Sequence, residues 1–245
     1  MSENRRIQKN KIIFLKKKVI ITGGSRGIGH AIAKALRKNF NVYITGTKIN
    51  KSKKYFQLDL NDTGSVKNFI NKIRILNFDI LINNAGINLV DKFHNLTNCD
   101  IEKMININQK NLLLITKSVI VGMKKKNFGK IINISSIWGV TPNKYRLVYS
   151  LTKSSLISLS KSLAIEYSKY NITTNTISPG IILTDLTKKN LSRKSILNLK
   201  RIIPMQRLGK PEDISNLVKY LVEIDQYING QNIVVDGGFT SGYEI

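Results

Sequence analysis

Tyr149 and Lys153 stand four residues apart in "VYSLTK", within a run of helical spacing. Four residues are just over one turn, so both side chains leave the same helix face. A phenol with its ordinary pKa near ~10 is a weak proton donor at neutral pH. An ammonium one turn away favours the phenolate and draws that pKa down. The pair is therefore a candidate acid–base couple. Spacing alone also fits two ordinary surface residues, so its meaning depends on what surrounds it.

A second chemical signal lies near the start of the chain. "TGGSRGIG", Thr22 to Gly29, follows the apolar run "KVII" and opens a helical pattern. Clustered glycines between a strand and a helix are the setting of a dinucleotide-binding turn. Gly23 and Gly24 permit a tight turn, while Gly27 and Gly29 let backbone approach a pyrophosphate and let the helix pack on the sheet. The positive end of the helix favours phosphate. The spacing is G-x-x-x-G-x-G rather than the commoner G-x-G-x-x-G, and a plain strand–helix turn is the alternative.

The elements that must position these residues alternate along the chain. "KVIIT" (18–22), "NVYIT" (41–45), "YFQL" (55–58), "DILIN" (79–83), "KIINIS" (130–135), "TTNTIS" (173–178) and "NIVVD" (232–236) read as strands. Helical patterns cover 28–38, 65–76, 100–126, 149–169 and 211–222, the last opening on "KPED". Such alternation specifies an α/β fold with a parallel sheet covered on both faces. One connection departs from the pattern. Only "TKINKSKK" separates the second and third strands, which is too short for the usual crossover helix, although extended chain can span the distance.

Bulk properties narrow the function classes. At 245 residues and 42% hydrophobic the chain suits one domain, expected over 13–245 after a loose basic arm at 1–12. There is no apolar run long enough to span a membrane and no signal-peptide core, so a cytoplasmic protein is expected. Cys99 is the one cysteine, and His30 and His94 lie far apart, which argues against a disulfide, a metal site or a Ser-His-Asp triad. The net charge of +25 and pI of about 10.1 invite a nucleic-acid reading. The lysines are spread along the whole chain without a binding module, however, and accompany a general bias towards Lys, Ile and Asn. No dedicated nucleic-acid site is expected.

The glycine turn, "NNAG" (83–86) and Tyr149-x-x-x-Lys153 occur in order, followed by "QRLGKPEDI" (206–214) and "NGQNIVVDGG" (229–238). With these segments the chain resembles the short-chain dehydrogenase/reductase family from about Lys17 to Gly238, and most of all its bacterial 3-oxoacyl-ACP reductases. The resemblance implies a Rossmann-type, doubly wound, seven-stranded parallel sheet that binds NAD or NADP. Thr22, Gly23, Ser25, Arg26, Gly27, Ile28 and Gly29 would hold the phosphates. Asp59 and Leu60 would meet the adenine, although Asp59 in "DLND" also reads as a helix-start acid. Asn83, Ala85 and Gly86 would line the adenosine side, while Asn84 and Asn133 look structural. Pro179, Gly180, Ile182 and Thr184 would frame the nicotinamide.

The resemblance also assigns the chemistry. Tyr149 would be the general acid that protonates a carbonyl oxygen as hydride arrives. Lys153 would lower its pKa and grip the nicotinamide ribose, Ser136 would bind the substrate oxygen, and Asn108 would hold a water of the proton relay. Ser135 and Asn106 are the competing positions. Trp138 would border the substrate or simply pack. After the second strand come Gly46, Thr47 and Lys48 with no acid, and Arg26 lies in the glycine turn, so NADP(H) is the expected cofactor. Leu186 to Pro204, with Lys188, Lys189, Arg193, Lys194, Lys200 and Arg201, would be a substrate lid.

The expected activity is therefore NADP(H)-dependent reduction of a ketone, most simply a 3-oxoacyl group on acyl carrier protein. The arginines that dock the carrier in the family are replaced near Asn127 and Tyr170, where Lys126 and Lys169 are adjacent. A sugar or polyketide-like ketone is an alternative substrate. A non-catalytic nucleotide sensor and a polyanion-binding protein are alternatives of other classes. A homotetramer is implied, with helices near 100–126 and 149–169 in one interface and the C-terminal strand region in another. The apolar stretches 112–123 and 156–165 agree with it.

Overall fold

The alternating runs resolve, in the computed structural model, into one parallel sheet with helices on both faces. The structure describes residues 16–184, 187, 192–224 and 227–242. The expected arm at 1–12 lies outside them, as do Leu186, Lys188 and Lys189 of the expected lid. The elements are β1 (Lys18–Ile21), α1 (Gly27–Leu36), β2 (Asn41–Gly46), β3 (Tyr55–Gln57), α2 (Thr63–Leu76), β4 (Ile80–Asn83), α3 (Asn98–Ile105), α4 (Asn111–Lys126), β5 (Gly129–Ile134), α5 (Leu147–Tyr167), β6 (Ile172–Pro179), α6 (Arg193–Ile202), α7 (Pro211–Glu223) and β7 (Asn232–Val235). The seven strands run in the order β3-β2-β1-β4-β5-β6-β7, each pair parallel.

Strands buried on both faces need apolar residues throughout, and β4 and β5 are buried at every position. One face packs Val19, Ile21, Ile80 and Ile82 against Ile32 and Leu36 of α1 and Ile214, Val218 and Leu221 of α7. The other packs Ile20, Leu81 and Ile131 against Val66 and Phe69 of α2, Leu112 and Ile115 of α4, and Leu156 of α5. The chain winds outwards in both directions from the β1–β4 pair. That reversal leaves a crevice at the carboxyl ends of β1 and β4, where open α/β sheets bind ligands.

The short crossover is as the sequence predicts: no helix joins β2 to β3. The Tyr55 hydroxyl donates to the Lys48 carbonyl at 2.6 Å and ties the connection back on itself. The expected continuous helix over 100–126 is instead divided. α3 begins at Asn98, where Thr97 and Asp100 form a reciprocal cap, and a single π-helical turn, Asn106–Lys110, separates it from α4. Hydrophobic periodicity is nearly blind to one such inserted turn, and these turns often mark functional positions. Helix α6 inside the expected lid is a further addition, capped by the Ser192 hydroxyl, which accepts from the Ser195 amide at 3.1 Å. No described helix is long and apolar enough to cross a membrane.

Asparagine stands where a helix or turn gives way to the next strand. Asn77, Asn127 and Asn171 adopt φ of 55°, 51° and 53° immediately ahead of β4, β5 and β6. Left-handed backbone costs most side chains about 1–2 kcal/mol, and asparagine tolerates it better. We expect Asn127→Gly to match the parent or exceed it by up to about 1 kcal/mol, and Asn127→Val to lose about 1–2 kcal/mol. Urea unfolding of the two variants checks this. Equal stabilities would contradict the cap assignment.

Candidate active site

The glycine turn is clamped to the end of β4. The Thr22 hydroxyl accepts from the amides of Asn84 at 3.0 Å and Ala85 at 3.1 Å. The Asn84 side-chain amide donates to the carbonyls of Thr22 and Gly23, both at 3.0 Å, which gives Asn84 the structural role its sequence position suggested. Gly23 has φ of 65°, and a Cβ there would sit 3.0 Å from the Ala85 Cα. A Cβ on Gly29 would sit 2.3 Å from the Gly23 carbonyl oxygen, so α1 can start against the loop only with glycine at that place. A Cβ on Gly27 would meet Thr184 at 3.5 Å, which brings the segment after β6 against the turn.

These contacts set the glycine turn directly before the N-terminus of α1. The turn's amides and the positive helix end fit the pyrophosphate of a dinucleotide. Ser25 and Arg26 are exposed on the turn, and Ile28 is half-buried. Thr47 and Lys48 are exposed just beyond β2. Asp59 is exposed and its carboxylate accepts from the Asn61 amide at 2.8 Å, whereas the acid of "DLND" that caps α2 is Asp62. Leu60 turns its side chain into the core, and its carbonyl accepts from the Asn111 side chain at 2.7 Å. Asn83 is fully buried: its amide donates to Thr116 at 2.9 Å and to Asn133 at 2.8 Å. Its side chain serves the interior of the fold and does not line the crevice. Pro179 ends β6, Gly180 follows against Asp236, and Ile182 bridges to Gly209.

The second cluster is built by four elements meeting beside Gly86. Lys153 of α5 is buried and donates from Nζ to the Ile134 carbonyl at 2.9 Å. A Cβ on Gly86 would lie 3.2 Å from that Nζ and 3.3 Å from the Asn108 Oδ1, so glycine makes room for both. Asn108 is fully buried in the π turn, whereas Asn106 is half-exposed. Its Oδ1 accepts from the Ile87 amide at 2.8 Å; its Nδ2 donates to the Ile87 carbonyl at 2.8 Å and to Thr152 at 3.1 Å. The Thr152 hydroxyl passes on to the Tyr149 carbonyl at 2.8 Å. Thr152 is a positioning residue the sequence reading did not single out, and its place one residue before Lys153 was the available signal.

The two adjacent serines divide their work. Ser135 donates to the Lys153 carbonyl at 2.7 Å and is spent on structure. Ser136 accepts from the Trp138 amide at 3.2 Å, and its hydroxyl lies near enough to the Tyr149 phenol to favour the phenolate. Trp138 packs edge-on against Phe239 with ring centroids 5.8 Å apart. Lys153 Nζ lies 5.8 Å from the centre of the Tyr149 ring.

Burial governs the protonation states. It raises the Tyr149 pKa above the ordinary phenol value, and the Ser136 hydroxyl and the Arg146 charge only partly oppose it. Burial also pushes Lys153 down from 10.5 to about 8. The expected lowering of the phenol pKa by Lys153 is thus not achieved by the protein alone, because desolvation outweighs the nearby charges. The arrangement holds a protonated phenol, a hydroxyl able to bind a carbonyl oxygen, and an amine poised near neutrality. That is equipment for delivering a proton to an oxygen. Cys99 is exposed, and no cluster of metal-ligating side chains occurs among the described residues.

Comparison with known proteins places this geometry. Residues 17–195 match the family model described as short chain dehydrogenase. The 3-oxoacyl-[acyl-carrier-protein] reductase FabG of Buchnera aphidicola subsp. Schizaphis graminum is 40% identical over 237 residues, spanning 91% of this chain and 97% of its own. Among solved structures, ElxO with NADP bound superposes with a TM-score of 0.85 at 34% identity, over 93% of this chain and all of the other. A 4-hydroxyisoleucine dehydrogenase complexed with NADH superposes with a TM-score of 0.86 at 32% identity and the same coverage.

The Lys153 shift has a consequence for stability. Its folded pKa of about 8 lies below the ordinary 10.5, so between these values the unfolded chain binds the extra proton. Stability is reduced below that window and rises through it as the buried ammonium discharges, by on the order of 3 kcal/mol. In protein free of dinucleotide, urea unfolding at pH 7.5 and 10 should show this rise in the parent relative to Lys153→Met. Parallel pH dependence in the two proteins would contradict it.

Proposed function

The chain belongs to the short-chain dehydrogenase family and is an oxidoreductase, and from that premise we propose that it is an NADPH-dependent reductase of 3-oxoacyl groups carried on acyl carrier protein. The observation that carries this reading is the meeting of the Lys153 Nζ and the Asn108 Oδ1 over Gly86, with Tyr149 one turn before Lys153 on α5 and Ser136 towards its phenol. Thr22 to Gly29 would hold the pyrophosphate, and the segment from Pro179 to Thr184 would hold the nicotinamide end. When bound, the dinucleotide supplies the hydride.

The chain's own groups supply the rest. Ser136 donates to the substrate carbonyl oxygen and keeps it beside the phenol. Tyr149, held protonated by burial, gives its proton to that oxygen as negative charge develops there. Lys153 stabilises the tyrosinate left behind, and Asn108 holds the backbone at Ile87 and the turn of α5 that carries Tyr149. Arg26 and Lys48, with Thr47 and no acid beside them, favour a ribose phosphate and hence NADPH over NADH. Relatives of this fold bind either form, as the two solved neighbours illustrate.

The carrier reading draws support from the surface near Tyr170. Lys124 and Lys169 lie 4.7 Å and 5.4 Å from the centre of its ring. Lys126 is instead bound to Asp79 and to the carbonyls of Asn77 and Phe78. Lys124 and Lys169 are therefore the cations offered to an acidic carrier. A tetramer accords with the apolar surface of α4 and α5, where Leu113, Leu114, Val121, Leu151 and Ile165 are exposed.

Reduction of an acetoacetyl thioester by the purified protein tests the reading. Tyr149→Phe should fall below about a tenth of the parent rate, a barrier change above ~1.4 kcal/mol, with NADPH affinity nearly intact. Substantial residual turnover would remove the general-acid role. The parent should prefer NADPH to NADH, and Arg26→Ala should erode that preference; an unchanged ratio would contradict the phosphate assignment. Light scattering should report four subunits at micromolar concentration, and a stable monomer would overturn the assembly.

A further inference from the structure

Residues 47–54 join β2 to β3 without the helix that a parallel crossover ordinarily carries. Side chains and backbone of the next segment hold the link instead. The carbonyls of Gly46, Thr47 and Lys48 accept, in turn, from the Leu58 amide at 2.9 Å, the Gln57 side chain at 3.2 Å and the Tyr55 hydroxyl at 2.6 Å. The rest of the link folds on itself: the Asn50 side chain accepts from the Ser52 amide at 2.9 Å, and the Ser52 carbonyl accepts from the Tyr55 amide at 3.1 Å. The Tyr55 phenol also borders the glycine turn. A Cβ on Gly46 would strike the phenol oxygen and lie 2.9 Å from the Ser25 Oγ, so β3 and the turn meet over a residue without a side chain. The turn is bonded to β2 one residue earlier, where the Gly23 amide donates to the Thr45 hydroxyl at 3.1 Å and the Gly24 amide to the Thr45 carbonyl at 2.9 Å. Ser25 and Arg26 on the turn, and Thr47 and Lys48 beyond β2, therefore sit on one bonded unit, and all four are exposed.

An exposed lysine on a loose loop has both side-chain and backbone freedom to lose on meeting a phosphate. Fixing the backbone beforehand leaves only the side-chain share to be lost on binding. We propose that Tyr55 is a positioning residue that sets the choice of dinucleotide: by holding the Lys48 backbone beside Ser25 and Arg26, its phenol makes the short crossover a subsite for the ribose 2′-phosphate. The proposal rests on the NADPH reading above. The phenol acts through Lys48 and not on the phosphate itself, because its one proton is given to a carbonyl and its lone pairs repel an anion. NADH carries a hydroxyl in place of that phosphate and gains nothing from a fixed lysine.

The test is binding of NADPH, and separately of NADH, to the full chain, followed by the fluorescence of the reduced nicotinamide with no substrate present. Tyr55→Phe removes the hydroxyl and keeps the ring. It should weaken NADPH about three- to tenfold and NADH less than about twofold, as the loss of one hydrogen bond implies. The retained NADH affinity reports an intact fold. In a Lys48→Ala background the same substitution should change NADPH affinity less than about twofold, since the carbonyl remains but the side chain it positions is gone. Gln57→Leu, which frees the neighbouring Thr47 carbonyl, should shift the ratio in the same direction as Tyr55→Phe. Equal losses for the two dinucleotides, no loss for either, or a Tyr55→Phe effect that persists in full without Lys48 would overturn the proposal. If Arg26→Ala erodes the preference for NADPH while Tyr55→Phe leaves it alone, the positioning role fails and the NADPH reading stands. A parent that binds NADH more tightly than NADPH overturns both.

Discussion

A lysine ammonium buried without a carboxylate beside it sets the terms for the whole site. Lys153 is compensated by the Ile134 carbonyl, and burial holds its pKa near 8. Desolvating such a group is costly, so its surroundings must be fixed closely. Ser135 holds the carbonyl of the same residue. Gly139 fits under the α5 backbone, where a Cβ would lie 2.8 Å from the Lys153 carbonyl carbon. Gly86 leaves the space above Nζ open. The residues that meet here come from the ends of β4 and β5, from the π turn and from α5. Local structure alone supplies none of these meetings, because they require the sheet order that the crossovers impose.

The same constraint explains the polar interior. Asn83, Asn133 and Thr176 lie on adjacent strands β4, β5 and β6. Asn133 donates to Ser160 at 2.9 Å, and Ser160 and Thr176 share a bond of 2.6 Å. With Thr116 bonded to Asn83, this chain of groups joins the sheet to α4 and α5. Apolar packing permits a helix to slide by a fraction of a turn at small cost, whereas a hydrogen-bonded network does not. The register of α5, and so the placement of Tyr149 over Ser136, depends on it.

Much of this was legible in the sequence because strands buried on both faces leave dense β-branched runs, and glycine turns leave spaced glycines. All seven strands appear within a residue or two of their predicted ends. The missing helix between β2 and β3 followed from counting eight residues, "TKINKSKK". Ser136 is distinguished from Ser135 in sequence by its distance from Gly139, and in the structure Ser135 is bound to the Lys153 carbonyl while Ser136 lies towards the Tyr149 phenol. The π turn was not legible, since one inserted residue barely disturbs the apolar spacing of 100–126. The side chains of Asn83 and Leu60 are buried, so a dinucleotide could meet these residues only through backbone, which residue type does not signal.

Burial keeps the Tyr149 phenol protonated, so that it is a proton donor before any ligand arrives. Ultraviolet difference titration of tyrosinate, taken as parent minus Tyr149→Phe in dinucleotide-free protein, measures this directly. The account predicts a Tyr149 pKa above the ordinary phenol value of about 10. A phenol that titrates below that value in the free protein would contradict it.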